Sequence, residues 1–277
     1  MEEALVVAVK RAITAMRDNL GEPLTVDDMA RAAMFSKFHF TRIFQRVTGV
    51  SPGRFLSALR LQQAQHLLVS TSLNVADISQ RVGYNSVGTF SSRFSRSVGM
   101  SPTTYRRRSG FAARIVSGPD EPCPVSRARV HGQIPADHND EPRLIFAGLF
   151  PDRIPQGQPA RCAVLSQPGL FTFTDVPRGV WYLLAQSVPG SLDDPDGYRA
   201  NINEAVSVAS HGPILVGPDS IVRVDLQFNR VRALDPPVLL AMLDVRKVAL
   251  EIVAGHHGGK RVPALAHDVR YTERTAA

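Results

Sequence analysis

The chain is poor in cysteine and has no long apolar run. Its two cysteines, Cys123 and Cys162, stand 39 residues apart, and neither has a Cys or His neighbour at metal-ligand spacing. A structural zinc site is not expected. A single disulfide stays open, but nothing else points to an oxidising compartment. No stretch approaches the roughly 20 apolar residues of a membrane span. Glu2 and Glu3 stand where a secretory signal would be basic. The expectation is a cytoplasmic protein. Catalytic signatures are missing too: there is no Gly-x-Ser-x-Gly elbow, no His-Glu-x-x-His pair and no phosphate-binding glycine loop. His131, His138, His211, His256, His257 and His267 are scattered. The pair His256-His257 sits in a Gly-flanked turn and reads as solvated rather than as a metal site. The acidic run Asp193-Asp194-Pro195-Asp196-Gly197 lacks the spacing of a calcium loop. No metal, cofactor or enzymatic activity is expected.

Length and charge say what is present. With 277 residues the chain exceeds the roughly 250 at which single cores stop growing, so two domains are expected. Residues 1–108 hold 15 Lys/Arg against 7 Asp/Glu, a net +8, while residues 109–277 hold 17 against 18. All the basic excess lies in the first part, which suits a polyanion partner as well as it suits an ordinary basic surface.

The strongest signal is a repeat of about 50 residues. SKFHFTRIFQRVTGVSPGRF from Ser36 aligns without gaps on SVGTFSSRFSRSVGMSPTTY from Ser86. Phe40 answers Phe90, Phe44 answers Phe94, Arg46 answers Arg96, Gly49 answers Gly99, and Phe55 answers Tyr105. Upstream, LTVDDMARAAMF from Leu24 answers LNVADISQRVGY from Leu73. Two copies are too few for a solenoid, so each copy reads as one supersecondary unit. Thr25 or Asn74 suits an N-cap. A short helix follows, with Val26, Met29 and Ala33 (or Val75, Ile78 and Val82) on one face. After a tight turn, Ser36 or Asn85-Ser86 caps a longer helix, with Phe40, Ile43, Phe44 and Val47 (or Phe90, Phe94 and Val98) inward. Gly49 and Gly99 suit a left-handed helix end, and Ser-Pro starts the next helix. A short helix, a tight turn and a longer capped helix make a helix-turn-helix. Residues 52–70 read as a connecting helix with Phe55, Leu56, Leu59, Ala64, Leu67 and Leu68 inward. Residues 3–19 read as a further helix.

DISQRVGYNSVGTFSSRFSRSVGMSPTTYRR resembles the signature of the AraC/XylS transcription regulators, and SKFHFTRIFQRVTG resembles that family's first recognition helix. The resemblance spans about residues 4–108. It implies seven helices, a sequence-specific grip on double-stranded DNA, and two recognition helices in adjacent major-groove segments. One departure stands out. Met34 occupies the place where the family commonly has a turn glycine, as Gly83 does in the second copy. A left-handed backbone there would cost Met on the order of 1 kcal/mol.

Helix faces nominate the contacts. Base edges would be met by Lys37, Phe38, His39, Thr41, Arg42 and Gln45 in the first copy, and by Val87, Gly88, Thr89, Ser91 and Ser92 in the second. Arg42 and Gln45 carry the most information, because Arg can bind guanine and Gln adenine bidentately. For Arg42 a phosphate contact is the bland alternative. Phe38 is weighed between a thymine methyl and local packing under the turn. The second face is small and weakly polar, so its half-site should be read more loosely. Ser36, Arg46, Arg54, Asn85, Ser86, Arg93, Arg96, Arg106 and Arg107, with Arg108 beside them, are candidates for phosphate contact. Six to eight such contacts would give a log–log salt slope of roughly −5 to −7. Two readers on one chain do not require a homodimer, and the oligomeric state stays open.

Residues 109–142, rich in Gly, Pro and charge, read as a linker. Residues 143–277 read as a mostly-β antiparallel sandwich built from LIFAGLF, RCAVLS, GLFTFTDV, GVWYLLAQSV, GPILVG and SIVRVDLQF. Asp235, Pro236-Pro237 and the apolar stretch Val238 to Val253 read as a closing C-terminal helix. LFTFTDVPRGVWYLLA resembles the strand–turn–strand of carboxypeptidase-regulatory-like and transthyretin-like sandwiches, on one short motif. Three readings of this half stand: a sensor of a small-molecule effector, a surface for dimerisation or for RNA polymerase, and an enzyme attached to a DNA-binding part. The third would need a reactive cysteine in a basic setting. Cys123 lies in the Pro-rich linker and Cys162 in an expected strand.

Overall fold

Apolar spacing and end signals turn the first 108 residues into seven helices: α1 (Glu2–Asp18), α2 (Val26–Ala32), α3 (Lys37–Thr48), α4 (Pro52–Ser70), α5 (Val75–Arg81), α6 (Val87–Val98) and α7 (Pro102–Arg107). The structure is a computed structural model. It describes residues 2–112, 126–135, 143–165, 167–189, 207–239 and 242–243. Thr25 and Asn74 open α2 and α5, their side chains accepting from the backbone N–H of Asp28 and Asp77. Thr25 and Asp28 close a full capping box, because Asp28 also accepts from the Thr25 N–H at 2.9 Å. Ser86 caps α6 by accepting from Thr89 N–H. Ser36 holds the equivalent extended backbone but makes no side-chain cap bond. Gly49 and Gly99 end α3 and α6 with φ of 79° and 89°.

The duplication extends to the packing. Phe40, Phe44 and Phe55 form a chain of rings at 5.4 Å, and Phe90, Phe94 and Tyr105 repeat it at 5.6 and 5.5 Å. These tilted and edge-to-face pairs suit aromatic quadrupoles. α4 packs on α2 and α3 and also on α5 and α7. It is therefore buried more widely than one face: Ala58, Leu61 and Gln65 join Phe55, Leu56, Leu59, Ala64 and Leu68 inside.

The chain divides into two units. The helical unit also takes in Asp152–Gly157 and, among the described residues, 232–239 and 242–243. Ile154 and Leu239 are buried in the helical core. Strand β1 (Phe111–Ala112) pairs in parallel with β10 (Met242–Leu243), also in this unit. The closing helix expected from Asp235 is not seen in the described residues. Residues 235–239 are turn and coil, and 242–243 are strand. Asp235 accepts from Arg232 N–H and donates its own N–H to Arg232 O, which makes a tight turn rather than a helix start. Val238 is followed by Leu239, whose N–H and C=O are taken by Pro155 and Gln65 of the same unit. That pairing competes directly with helical hydrogen bonds. Apart from 242–243, the rest of the stretch to Val253 lies outside the described residues.

The second unit contains β2 (Arg129–Gln133), β3 (Arg143–Phe150), β4 (Arg161–Leu165), β5 (Leu170–Phe173), β6 (Gly179–Pro189), β7 (Ser207–Val216), β8 (Ile221–Arg223) and β9 (Asn229–Arg230). One sheet has the order β5-β2-β8, the other β4-β3-β6-β7-β9. All pairings are antiparallel except β2 with β8. Val130, Phe171 and Phe173 from the first sheet and Ile145, Leu149, Leu183 and Ile214 from the second share one core. The alternation of Phe171 and Phe173 puts both rings inside, 5.5 Å apart. The linker expectation needs correction at β2. This strand falls within 109–142, yet it is the middle strand of a sheet, with Val130 fully buried. A short strand carrying one apolar residue and a glycine gives little period-2 signal. Cys123, Asp193–Gly197, His256 and His257 lie outside the described residues.

Candidate nucleic-acid interface

α3 and α6 each bury one face and leave the other to solvent. On α3, Lys37, Phe38, His39, Arg42, Gln45 and Arg46 are exposed, with Ser36 just before them. Thr41 is half-buried, its hydroxyl donating to Lys37 O at 2.8 Å. On α6, Val87, Gly88, Thr89, Ser92, Arg93 and Arg96 are exposed, as are Asn85 and Ser86 before it, while Ser91 is half-buried. Phe38 is 85% exposed, so packing under the turn does not hold it. His39 sits edge-on to the Phe35 ring at 4.9 Å, which steadies it on the outward face.

Charge partners separate the candidates. Lys37 Nζ reaches Asp27 at 3.0 Å, an exposed pair that a polyanion can break at little cost. Among the described residues no hydrogen bond or ion pair engages the side chains of Arg42, Gln45, Arg46, Arg96 or Arg107, so those side-chain donors and acceptors are open to a ligand. Arg93 donates to Ser57 Oγ at 3.1 Å. Arg54 is held in an ion pair by Asp152. Arg106 differs from the expectation most. It is half-buried and donates to Leu68 O at 3.0 Å and to Leu73 O, so it braces the end of α4 rather than facing outward. Helical spacing could not separate it from Arg107, because both stand in one short turn.

Residues invisible to pattern reading hold the scaffold. Arg60 donates to Leu20 O at 2.9 Å and to Glu22 O at 2.6 Å, tying the turn after α1 to α4. Burial pulls its pKa down, partly offset by Tyr84. An Arg set among apolar neighbours in a helix gives no signal of such a role. The capping carboxyl of Asp28 is held below the usual aspartate range, first by the Thr25 hydroxyl, then by the Thr25 N–H, with Arg31 adding to it. The left-handed corner expected at Met34 is present, with φ 62°, beside 79° at Gly83.

A helix-turn-helix domain family matches residues 29–108. The HTH-type transcriptional activator AarP of Providencia stuartii is 30% identical over 98 residues, which are 35% of this chain and 73% of that protein. The chain belongs to the AraC family of transcription regulators. Another relative, the lactose operon transcription activator of Staphylococcus xylosus, is 31% identical over 98 residues, 35% of each chain. The chain thus spans about a third of the length of curated relatives such as this one. Among solved structures, the DNA-binding domain of AdpA in complex with a target DNA is 30% identical, with a TM-score of 0.35, and the match covers 36% of this chain and 90% of that one. Among the described residues of this AraC-family chain, no group of three His, Cys, Asp or Glu gathers as a metal site. No described helix is long and apolar enough to cross a membrane.

Proposed function

We propose that the chain is a sequence-specific regulator of transcription that binds double-stranded DNA through α3 and α6. The observation that carries this reading is the matched pair of helices α3 and α6, each closed by a left-handed glycine. Each buries two phenylalanines at equivalent positions and turns a polar, partly basic face outward. A helix of this kind is the size that B-DNA's major groove admits. On α3, Lys37, Phe38, His39, Thr41, Arg42 and Gln45 would meet base edges. On α6, Val87, Gly88, Thr89, Ser91 and Ser92 would do so. Arg46, Arg93, Arg96 and Arg107, with Ser36, Asn85 and Ser86 at the helix starts, would hold phosphates. The test is selection of binding sites from random duplexes with the full chain, followed by competition binding. A selected motif with two separated half-sites is expected; recovery of no motif would reject the reading.

For residues 143–277 the proposed role is sensing of a small molecule, with no catalysis assigned. Screening metabolites for a shift in operator affinity tests it. One observation favours protein contact instead: Val180 and Leu215 are cross-strand partners on β6 and β7, and both are exposed, Leu215 by 75%. Such a pair on a sheet face suits a partner protein, a second copy or RNA polymerase. Val180→Ser with Leu215→Ser should then change assembly or polymerase recruitment while leaving DNA affinity unaltered.

A further inference from the structure

α3 and α6 end at equivalent positions of the repeat, yet neither end stands alone. A Cβ at Gly49 would lie 2.6–2.7 Å from the Arg153 side chain, whereas nothing lies within 4 Å of one at Gly99. The last turn of α6 is met one step earlier. Ser97 Oγ donates to Gln156 Oε1 at 3.1 Å, and Gly157 N–H donates to Ser97 O at 2.7 Å. That carbonyl is one of the four a helix leaves unpaired at its end. Gly157 has φ +71°, and a Cβ there would come within 3.2 Å of Arg96 O, so glycine is what lets the backbone dock. Just before the first of these contacts, Asp152 pairs with Arg54 in the first turn of α4, and between the two Ile154 is 2% exposed within the helical core.

A second segment backs the first. Leu239 N–H donates to Pro155 O at 3.1 Å, and Gln65 Nε2 donates to Leu239 O at 2.9 Å. Gln65 is a buried amide in the middle of α4, and a buried amide costs stability unless bonded. Leu239 therefore supplies what Gln65 needs, and its side chain is 1% exposed. Residues 152–157 and 232–239 thus touch the end of α3, the end of α6, and the first turn and the middle of the connecting α4.

We propose that residues 152–157, backed by Leu239, are a splint that fixes the angle between the two recognition helices and thereby sets the half-site spacing that the chain accepts. The inference rests on the DNA-binding reading above. Ile154, Gln156 and Leu239 are positioning residues: they act on DNA only through α3 and α6. A chain that samples the competent helix angle a tenth of the time loses about tenfold in affinity, because the apparent dissociation constant scales inversely with the competent fraction.

The experiment uses the full chain with two readouts. In the first, spin labels at Gln45→Cys and Ser92→Cys, with Cys123 and Cys162 replaced by Ser, report the α3–α6 distance without DNA. In the second, the selected operator is varied by inserting or deleting base pairs between its half-sites. The variants are Ile154→Ala with Gln156→Ala, and the milder Asp152→Asn with Gln156→Ala, which leaves no core cavity and safeguards the test if the first pair fails to fold. The splint predicts a single narrow distance in the parent and a broadened one in the variants. It also predicts a sharp spacing optimum in the parent, and in the variants a flattened one with about tenfold weaker binding at the optimum. Base preference within each half-site should persist. An unchanged distance distribution, or an unchanged spacing optimum, overturns the splint. A parent chain that selects no DNA sequence overturns the functional reading instead, and the distance measurement still decides whether the helices are held.

Discussion

Met34 and Gly83 hold the same left-handed corner of the two helix pairs, at φ 62° and 79°, in opposite surroundings. Gly83 is packed so closely that a Cβ would lie 2.5 Å from Leu20 O and 2.7 Å from the Arg60 guanidinium. Met34 is 78% exposed, and Arg11 Nη1 reaches its sulfur at 3.3 Å. The first corner tolerates a side chain because nothing stands against it; the second does not.

Met34→Gly should therefore stabilise the helical unit by about 1 kcal/mol, the cost of a left-handed non-glycine residue. Gly83→Ala should destabilise it by more, since backbone strain and collision add. Urea unfolding followed by far-ultraviolet circular dichroism reads the helices, while the single tryptophan, Trp181 of β6, reports on the sandwich by fluorescence. Equal and opposite effects at both positions would contradict the packing difference.

Arg42 and Arg46 lie one turn apart on α3 and should fail differently. Arg42→Ala should relax base preference at one operator position by roughly 1–3 kcal/mol. Arg46→Ala should weaken all sequences alike and reduce the log–log salt slope by about 1. Competition binding over single-base operator variants at several salt concentrations separates the two, and the reverse pattern would reassign them.

Arg106 and Arg107 divide between fold and ligand. Arg106→Ala leaves Leu68 O and Leu73 O without their donor, which should cost about 1–3 kcal/mol of stability. Arg107→Ala should leave the melting temperature unchanged and reduce the salt slope of DNA binding. Thermal denaturation beside salt-dependent binding of the two variants checks both.

Tyr105 sets an alkaline limit. Burial pushes its phenol up to about 12 from an ordinary 10. The folded value is raised, so the unfolded chain ionises first. The stability tied to the neutral phenol is complete below about pH 10 and is lost as pH rises towards 12, on the order of 3 kcal/mol in all. Tyr105→Phe should flatten the decline of helical stability over that window. An identical decline in the variant would assign it to other groups.

The helical half was readable because its information is local. Thr25 and Asn74 cap, Gly49 and Gly99 terminate, and phenylalanines at 40, 44, 90 and 94 repeat within helical reach, so short windows held the whole pattern. Outward residues such as Arg42 and Gln45 followed from the same geometry. Where several Arg side chains share one turn, spacing could not say which points in, and Arg106 came out as a brace. In the second unit the strands from LIFAGLF to GPILVG were legible by composition, but β2 was not, since Arg129–Gln133 carries too few apolar residues to alternate.

The order of residues by itself determined the duplicated helix pairs, their caps and their exposed faces, because each depends on contacts a few positions apart. Only the tertiary structure decided that Ile154 and Leu239 complete the helical core and that Leu239 answers Gln65 across 174 positions. Such pairings are chosen by the space and hydrogen-bond groups left open once the helices have packed, and no local pattern records that remainder.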